Sequence, residues 1–185
     1  MARTICPHWL GYFLINPFRK LFENPDKLLG QFVREGMIVL EPGCGMGFFT
    51  LPLARMVGPK GRVVVVEVQK KMLSVLSRRA EKTGLLDRIE LRHITAEGLG
   101  VEDLSGAVDF AAAIHMVHEV PNQTDFFTEI WEVLKPGCRL LVVEPKGHVS
   151  PARFEQTVGY AKKVGFTSEA LSLKVGGRGA LLTKS

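Results

Sequence analysis

The chain has 185 residues, enough for one domain with a real core and too few for two comfortable ones. Its 46% hydrophobic and 23% charged residues are those of an ordinary soluble globular protein, and no stretch reaches the ~18 continuous apolar residues of a membrane helix. The net charge of +5 permits an anionic partner without demanding one, while three scattered cysteines, with no CxxC pair, give no metal site and suit a reduced, cytoplasmic protein.

In chain order, residues 1–25 form an N-terminal segment rich in aromatics, "HWLGYFLINPFRKLF", read as a cover over a substrate pocket. An oligomer contact and a weak membrane-surface contact are the other readings of it. A strand over Met37–Glu41 ends in an acid and runs into Gly43-Cys44-Gly45-Met46-Gly47. A helix over Phe48–Val57 follows, with Pro52 tolerated in its first turn. Four consecutive valines mark Arg62–Glu67 as a strand buried on both faces. Lys70–Lys82 has apolar residues at helical spacing, and Thr83-Gly84 ends it. Strands are predicted over Ile89–Ile94 and Val108–Ile114, then a helix over Gln123–Leu134 with Trp131 among its inward residues. After a turn at Lys135-Pro136-Gly137 comes a fifth strand, Arg139–Glu144. Ser150 as N-cap and Pro151 at the first position open a helix that runs to Val164. Two last strands, near Ser168–Val175 and Ala180–Thr183, are joined by a glycine-rich link too short for a parallel crossover.

Strand and helix in alternation predict an α/β fold with a mostly parallel sheet, mixed at its end. Ligands of such sheets sit outside the carboxyl ends of the strands. The loop after the first strand reads GxGxG, not the GxGxxG of a dinucleotide site, since the third position holds Phe48. The carboxylate of Glu41 just before it would repel a pyrophosphate and suit an amino group. Glu67, 20 residues after Gly47, suits a pair of ribose hydroxyls. An amine, a close backbone approach and a ribose together describe S-adenosylmethionine.

On these residues the chain resembles the class I S-adenosylmethionine-dependent methyltransferases. It looks closest to the small-molecule branch with ubiquinone/menaquinone-type C-methyltransferases and arsenite-methyltransferase-like proteins. "VLEPGCGMGFFT", "VVVVEVQKKML", "HITAEGLGVED", "VDFAAAIHMVHEVPN" and "VLKPGCRLLVVEPKG" carry the resemblance in family order. It implies a Rossmann-like seven-stranded mixed sheet of order 3-2-1-4-5-7-6, last strand antiparallel, with helices on both faces, and a single domain over 26–185. It also implies a cofactor site of Glu41, Gly43, Cys44, Gly45, Met46, Gly47, Glu67, Val68, Gln69, Thr95, Ala96, Glu97, Ile114 and His115. The family's adenine-edge aspartate is replaced by Thr95, with Glu97 the other acceptor there. The cysteines do not match an arsenic-binding set, and no NPPY-like motif follows the fourth strand. The expected acceptor is therefore a small molecule, with no nucleic acid.

Methyl transfer from a sulfonium needs placement above all, and a base only where the acceptor holds a proton. His115, His118 and His148 are the candidate proton acceptors, of which at most one is expected to matter, His115 first. The plainer readings are packing against the methionine moiety for His115 and a loop cap for His118, and Cys44 reads as a small residue rather than a nucleophile. A nicotinamide-dependent oxidoreductase and a non-catalytic cofactor-binding module are the alternative functions.

Overall fold

The structure, a computed structural model, describes residues 23–95, 98–173 and 177–185. The N-terminal aromatic segment up to residue 22, together with Ala96 and Glu97, lies outside the described residues. Seven strands form a mixed sheet of order 3-2-1-4-5-7-6 with flanking helices, the predicted topology. Two compact units divide between residues 97 and 98.

The described part of the first unit opens with helix α1, Pro25–Leu29, capped by the Asn24 side chain, which accepts from the N–H groups of Asp26 and Lys27. An Asn-Pro pair is a start signal that a five-residue helix gives too little periodicity to support from sequence. Strands β1 (Ile38–Pro42), β2 (Arg62–Glu67) and β3 (Ile89–His93) run parallel, with Glu41 opposite Val65 and Glu67 opposite His93. Helices α2 (Thr50–Met56) and α3 (Lys70–Lys82) connect them. The valines of β2 are all buried, as expected of a strand covered on both faces. On α3, Met72, Leu73, Val75, Leu76 and Ala80 are buried, while Lys70 and Lys71 are exposed.

Helix α2 begins two residues later than predicted, because Phe48 and Phe49 belong to the turn and stack edge to face, ring centroids 5.0 Å apart. The turn before β2 is fixed by Gly61. A Cβ there would lie 2.6 Å from the carbonyl oxygens of both Met37 and Val57, main-chain atoms with no freedom to move aside. Gly61→Ala is expected to lower stability by about 1–3 kcal/mol. Urea unfolding should show this as a lower midpoint at unchanged slope.

The second unit has β4 (Val108–Ile114) parallel to β5 (Leu134–Pro145), helices α4 (Gln123–Val133) and α5 (Pro151–Val164), and strands β6 (Phe166–Leu171) and β7 (Gly177–Lys184). β7 runs antiparallel to both β5 and β6. The predicted turn at Lys135-Pro136-Gly137 lies within β5, as an irregularity: Val108 pairs with Leu134, whereas Phe110 pairs with Arg139. Gly137 sits there at φ 75°. Pairing resumes at once, so the strand extends back to the end of α4. Phe127, Ile130, Phe110, Leu140, Leu141 and Leu182 are fully buried, each side chain worth about 1.5–3 kcal/mol over exposure. Trp131 is only half-buried. Its ring meets Phe166 edge to face at 5.0 Å and carries the Lys184 ammonium 5.3 Å from its centroid. Ser150 accepts from Arg153 N–H, as a cap of α5 should, and Gly165 ends that helix at φ 128°. Among the described residues no helix is long and apolar enough to cross a membrane.

Candidate functional site

In the first unit, β1 and β2 deliver two carboxylates to a glycine loop. Gly43, Gly45 and Gly47 have φ of 69°, 53° and 82°, so the loop turns through left-handed backbone at every second residue. A Cβ at Gly47 would also run into Leu76 Cδ1, so the Leu76 side chain would have to shift. Several bonds hold the loop in shape. Gly43 N–H donates to Val66 O at 2.7 Å, Gly47 N–H to Cys44 O at 3.0 Å, and the Arg79 guanidinium to Met46 O.

Glu67 is 6% exposed and accepts at both oxygens: Gly45 N–H at 3.0 Å on Oε2 and Gln69 N–H at 2.9 Å on Oε1. One carboxylate thus ties the glycine loop to the end of β2. Its remaining lone pairs are available to hydroxyls, because an ionised carboxylate has about four acceptor sites. Val68 and Gln69 follow, both half-buried, and Val68 O lies 3.1 Å from the His93 ring.

Glu41 is 4% exposed, and its carboxyl is pushed up to about 8, first by burial and further by the charge of Glu67. Thr50 stands beside it and offsets a part of this. The two do not reach hydrogen-bond geometry, however: Glu41 Oε2 and Thr50 Oγ1 are both buried without a hydrogen-bond partner among the described residues. A buried acceptor left unpaired costs about 1–3 kcal/mol, more if charged, and natural sites keep one where a ligand completes it.

The other loop residues divide by role. Met46 packs in the core with Met72 and Val75, so only its main chain faces any ligand role. Cys44 is buried, and its thiol is held well above its ordinary range by burial and by Glu41 and Glu67. That environment makes a poor nucleophile. Thr95 is exposed just after β3.

In the second unit, β4 ends at the buried Ile114, and His115 follows half-buried at φ 60°, left-handed backbone that non-glycine residues seldom adopt. His115 N–H donates to Val143 O at 2.7 Å. His148 is exposed beyond β5. His118 lies in a 3₁₀ turn, Val117–Glu119, and has the partner that sequence reasoning missed. Its Nδ1 is 2.6 Å from Oε2 of Glu144, and its main-chain N–H donates to Oε1 at 2.9 Å. Glu144 is 1% exposed. The available signal was an acid closing a buried strand, as Glu41 and Glu67 do.

The chain belongs to the methyltransferase domain family, whose match runs over residues 39–137. It is 35% identical over 112 residues to the ubiquinone/menaquinone biosynthesis C-methyltransferase UbiE of Hahella chejuensis, covering 60% of this chain and 44% of that protein. To the demethylmenaquinone methyltransferase of Lactobacillus johnsonii it is 29% identical over 136 residues, 74% of this chain and 53% of that one. The chain thus spans about half the length of the curated relatives it matches. In fold it is similar to a SAM dependent methyltransferase from Aquifex aeolicus, with a TM-score of 0.86 and 24% identity over 98% of this chain and 100% of that one.

Proposed function

We propose that the protein transfers a methyl group from S-adenosylmethionine to a small-molecule acceptor. The observation that carries this reading is the buried Oε2 of Glu41 at the head of the glycine loop, without a hydrogen-bond partner among the described residues. An ammonium beside Glu41 would complete its free oxygen and keep the carboxylate ionised. A dinucleotide would instead bring a pyrophosphate to the loop, with no ammonium to complete this buried oxygen. The chain's residues therefore fit the sulfonium cofactor and disfavour the nicotinamide alternative.

When bound, the cofactor supplies a methyl group already activated for in-line displacement. Glu41 holds its amino group, Glu67 its ribose, and Gly43–Gly47 allow close main-chain approach. Val68, Gln69 and Thr95 take the adenine side, with Ala96 and Glu97 beside them in sequence. Ile114 and His115 take the methionine side. His115 and His148 are retained as proton acceptors to be tested, within a methyltransferase domain over 26–185. Cytoplasmic residence accords with this reading. The relatives' names make a quinol the first acceptor to try.

Calorimetry is expected to show binding of S-adenosylhomocysteine and none of NAD. Binding of NAD with no response to S-adenosylhomocysteine would overturn the reading.

A further inference from the structure

His118 is held more firmly than a loop cap requires. Glu144 comes from the end of β5 and grips both its ring and its main-chain N–H. Arg153 reaches from α5 to donate to His118 O at 3.1 Å. The same turn is braced on its buried side: Gln123 of α4 donates to Val117 O at 2.9 Å, and its own carbonyl accepts from the Thr157 hydroxyl of α5 at 3.0 Å. Three elements thus brace one turn, and Glu144 of β5 fixes its imidazole. Its side chain remains 16% exposed.

We propose that His118 is the general base of methyl transfer, its Nε2 taking the acceptor's proton, and that Glu144 is the residue that positions it. The proposal rests on the methyltransferase reading above. It specifies an acceptor that must lose a proton, at a hydroxyl or at a ring carbon activated by one. The proton passes from the acceptor to Nε2, and the electron pair it leaves forms the bond to the methyl carbon. The pair of the broken carbon–sulfur bond stays on sulfur, which ends as a neutral thioether. The imidazolium then returns its proton to solvent.

Glu144 suits the supporting part. A carboxylate on Nδ1 keeps the proton on that nitrogen and leaves Nε2 as the acceptor, and it stabilises the imidazolium once formed. The groups around the ring act in opposite directions. Glu144 and, more weakly, Glu119, whose Oε1 is 3.9 Å from Nε2, favour the charged ring, whereas burial and Arg153 disfavour it. His148 stands edge to face at 6.1 Å between ring centroids. The net result lifts His118 above the ordinary histidine value of 6.5, toward the working pH where a base is most effective.

The first test needs no acceptor. Nitrogen-15 NMR of the full chain's histidine rings should show the His118 titration above 6.5, with Nδ1 protonated throughout and Nε2 the nitrogen that titrates. In Glu144→Gln the titration should fall to lower pH. Glu144 is buried; if the variant fails to fold, the tautomer seen in the wild-type ring decides the point alone, and protonation of Nε2 in the neutral ring overturns the proposal.

The second test is transfer to 1,4-naphthohydroquinone, kept reduced, with calorimetry of S-adenosylhomocysteine alongside. Transfer by His118→Asn should drop about 10²–10⁴-fold while affinity for S-adenosylhomocysteine stays within about threefold. In Glu144→Gln the acidic limb of the pH–rate profile should move to lower pH, which loss of a merely structural contact would not produce. Three outcomes overturn the proposal: a wild type that binds S-adenosylhomocysteine yet leaves the quinol unmethylated, undiminished transfer by His118→Asn, and a limb that Glu144→Gln does not move. Failure of the wild type to bind S-adenosylhomocysteine would instead overturn the methyltransferase reading itself.

Discussion

Replacing Glu41 by glutamine is expected to stabilise the free protein at pH 8 and to weaken its hold on the cofactor. The folded chain raises this carboxyl from 4.5 to about 8. Between those values the native state keeps a proton that the unfolded chain has lost, so stability falls as pH rises. Carried across the whole interval, the loss is about 5 kcal/mol, an upper bound for one site. Glutamine keeps the shape and does not titrate, so the gap between variant and wild type should be small near pH 5 and widest near pH 8. His118 and Glu129 are also raised and tilt stability the same way, which is why the difference between the two proteins, and not the wild-type curve alone, isolates Glu41. Scanning calorimetry at pH 5, 6.5 and 8 makes the measurement. Melting temperatures that change in parallel would show that Glu41 is ionised in the free protein. Loss of a charge-assisted bond of about 1.5–3 kcal/mol should weaken S-adenosylhomocysteine by roughly tenfold to a hundredfold. A site that destabilises the free fold and is relieved by its ligand is a familiar exchange of stability for function.

Glu67→Ala is expected to reduce cofactor affinity further, by about a hundredfold or more, because two losses combine. The ribose would lose its carboxylate acceptor, at about 1.5–3 kcal/mol for each charge-assisted bond. Gly45 and Gln69 would also lose the acceptor of their N–H groups, which now lie 3.0 and 2.9 Å from it. The glycine loop would then have to be ordered at the expense of binding. Glu67→Gln separates these contributions, since one oxygen can still accept from the loop. Calorimetry with S-adenosylhomocysteine, supported by circular dichroism to confirm folding, decides the matter. Affinity within a few-fold of wild type in a folded Glu67→Ala chain would place the ribose elsewhere.

The sequence by itself determined the order of the seven strands along the chain and most of their helices, though not the short α1. The valine run of β2, the helical spacing of α3 and the Ser150-Pro151 start of α5 are local signals, and local signals survive without a tertiary context. The glycine loop and the acids that close β1 and β2 were legible for the same reason: spacing along the chain carries them. Only the tertiary structure decided what those groups do. Glu41 keeps its proton because the fold removes water from around it, and desolvation has no sequence signature. Glu67 accepts from Gly45, 22 residues away, before any ligand arrives. His118 and Glu144 meet across 26 residues because β4 and β5 lie side by side and end together. The irregularity at Lys135-Pro136-Gly137 looked like a turn because its residues are turn residues. Pairing with β4 absorbed it into a strand, since a neighbouring strand can satisfy main-chain groups on either side of a bulge. Spacing therefore named the candidates, while burial and pairing across the sheet assigned their protons and partners.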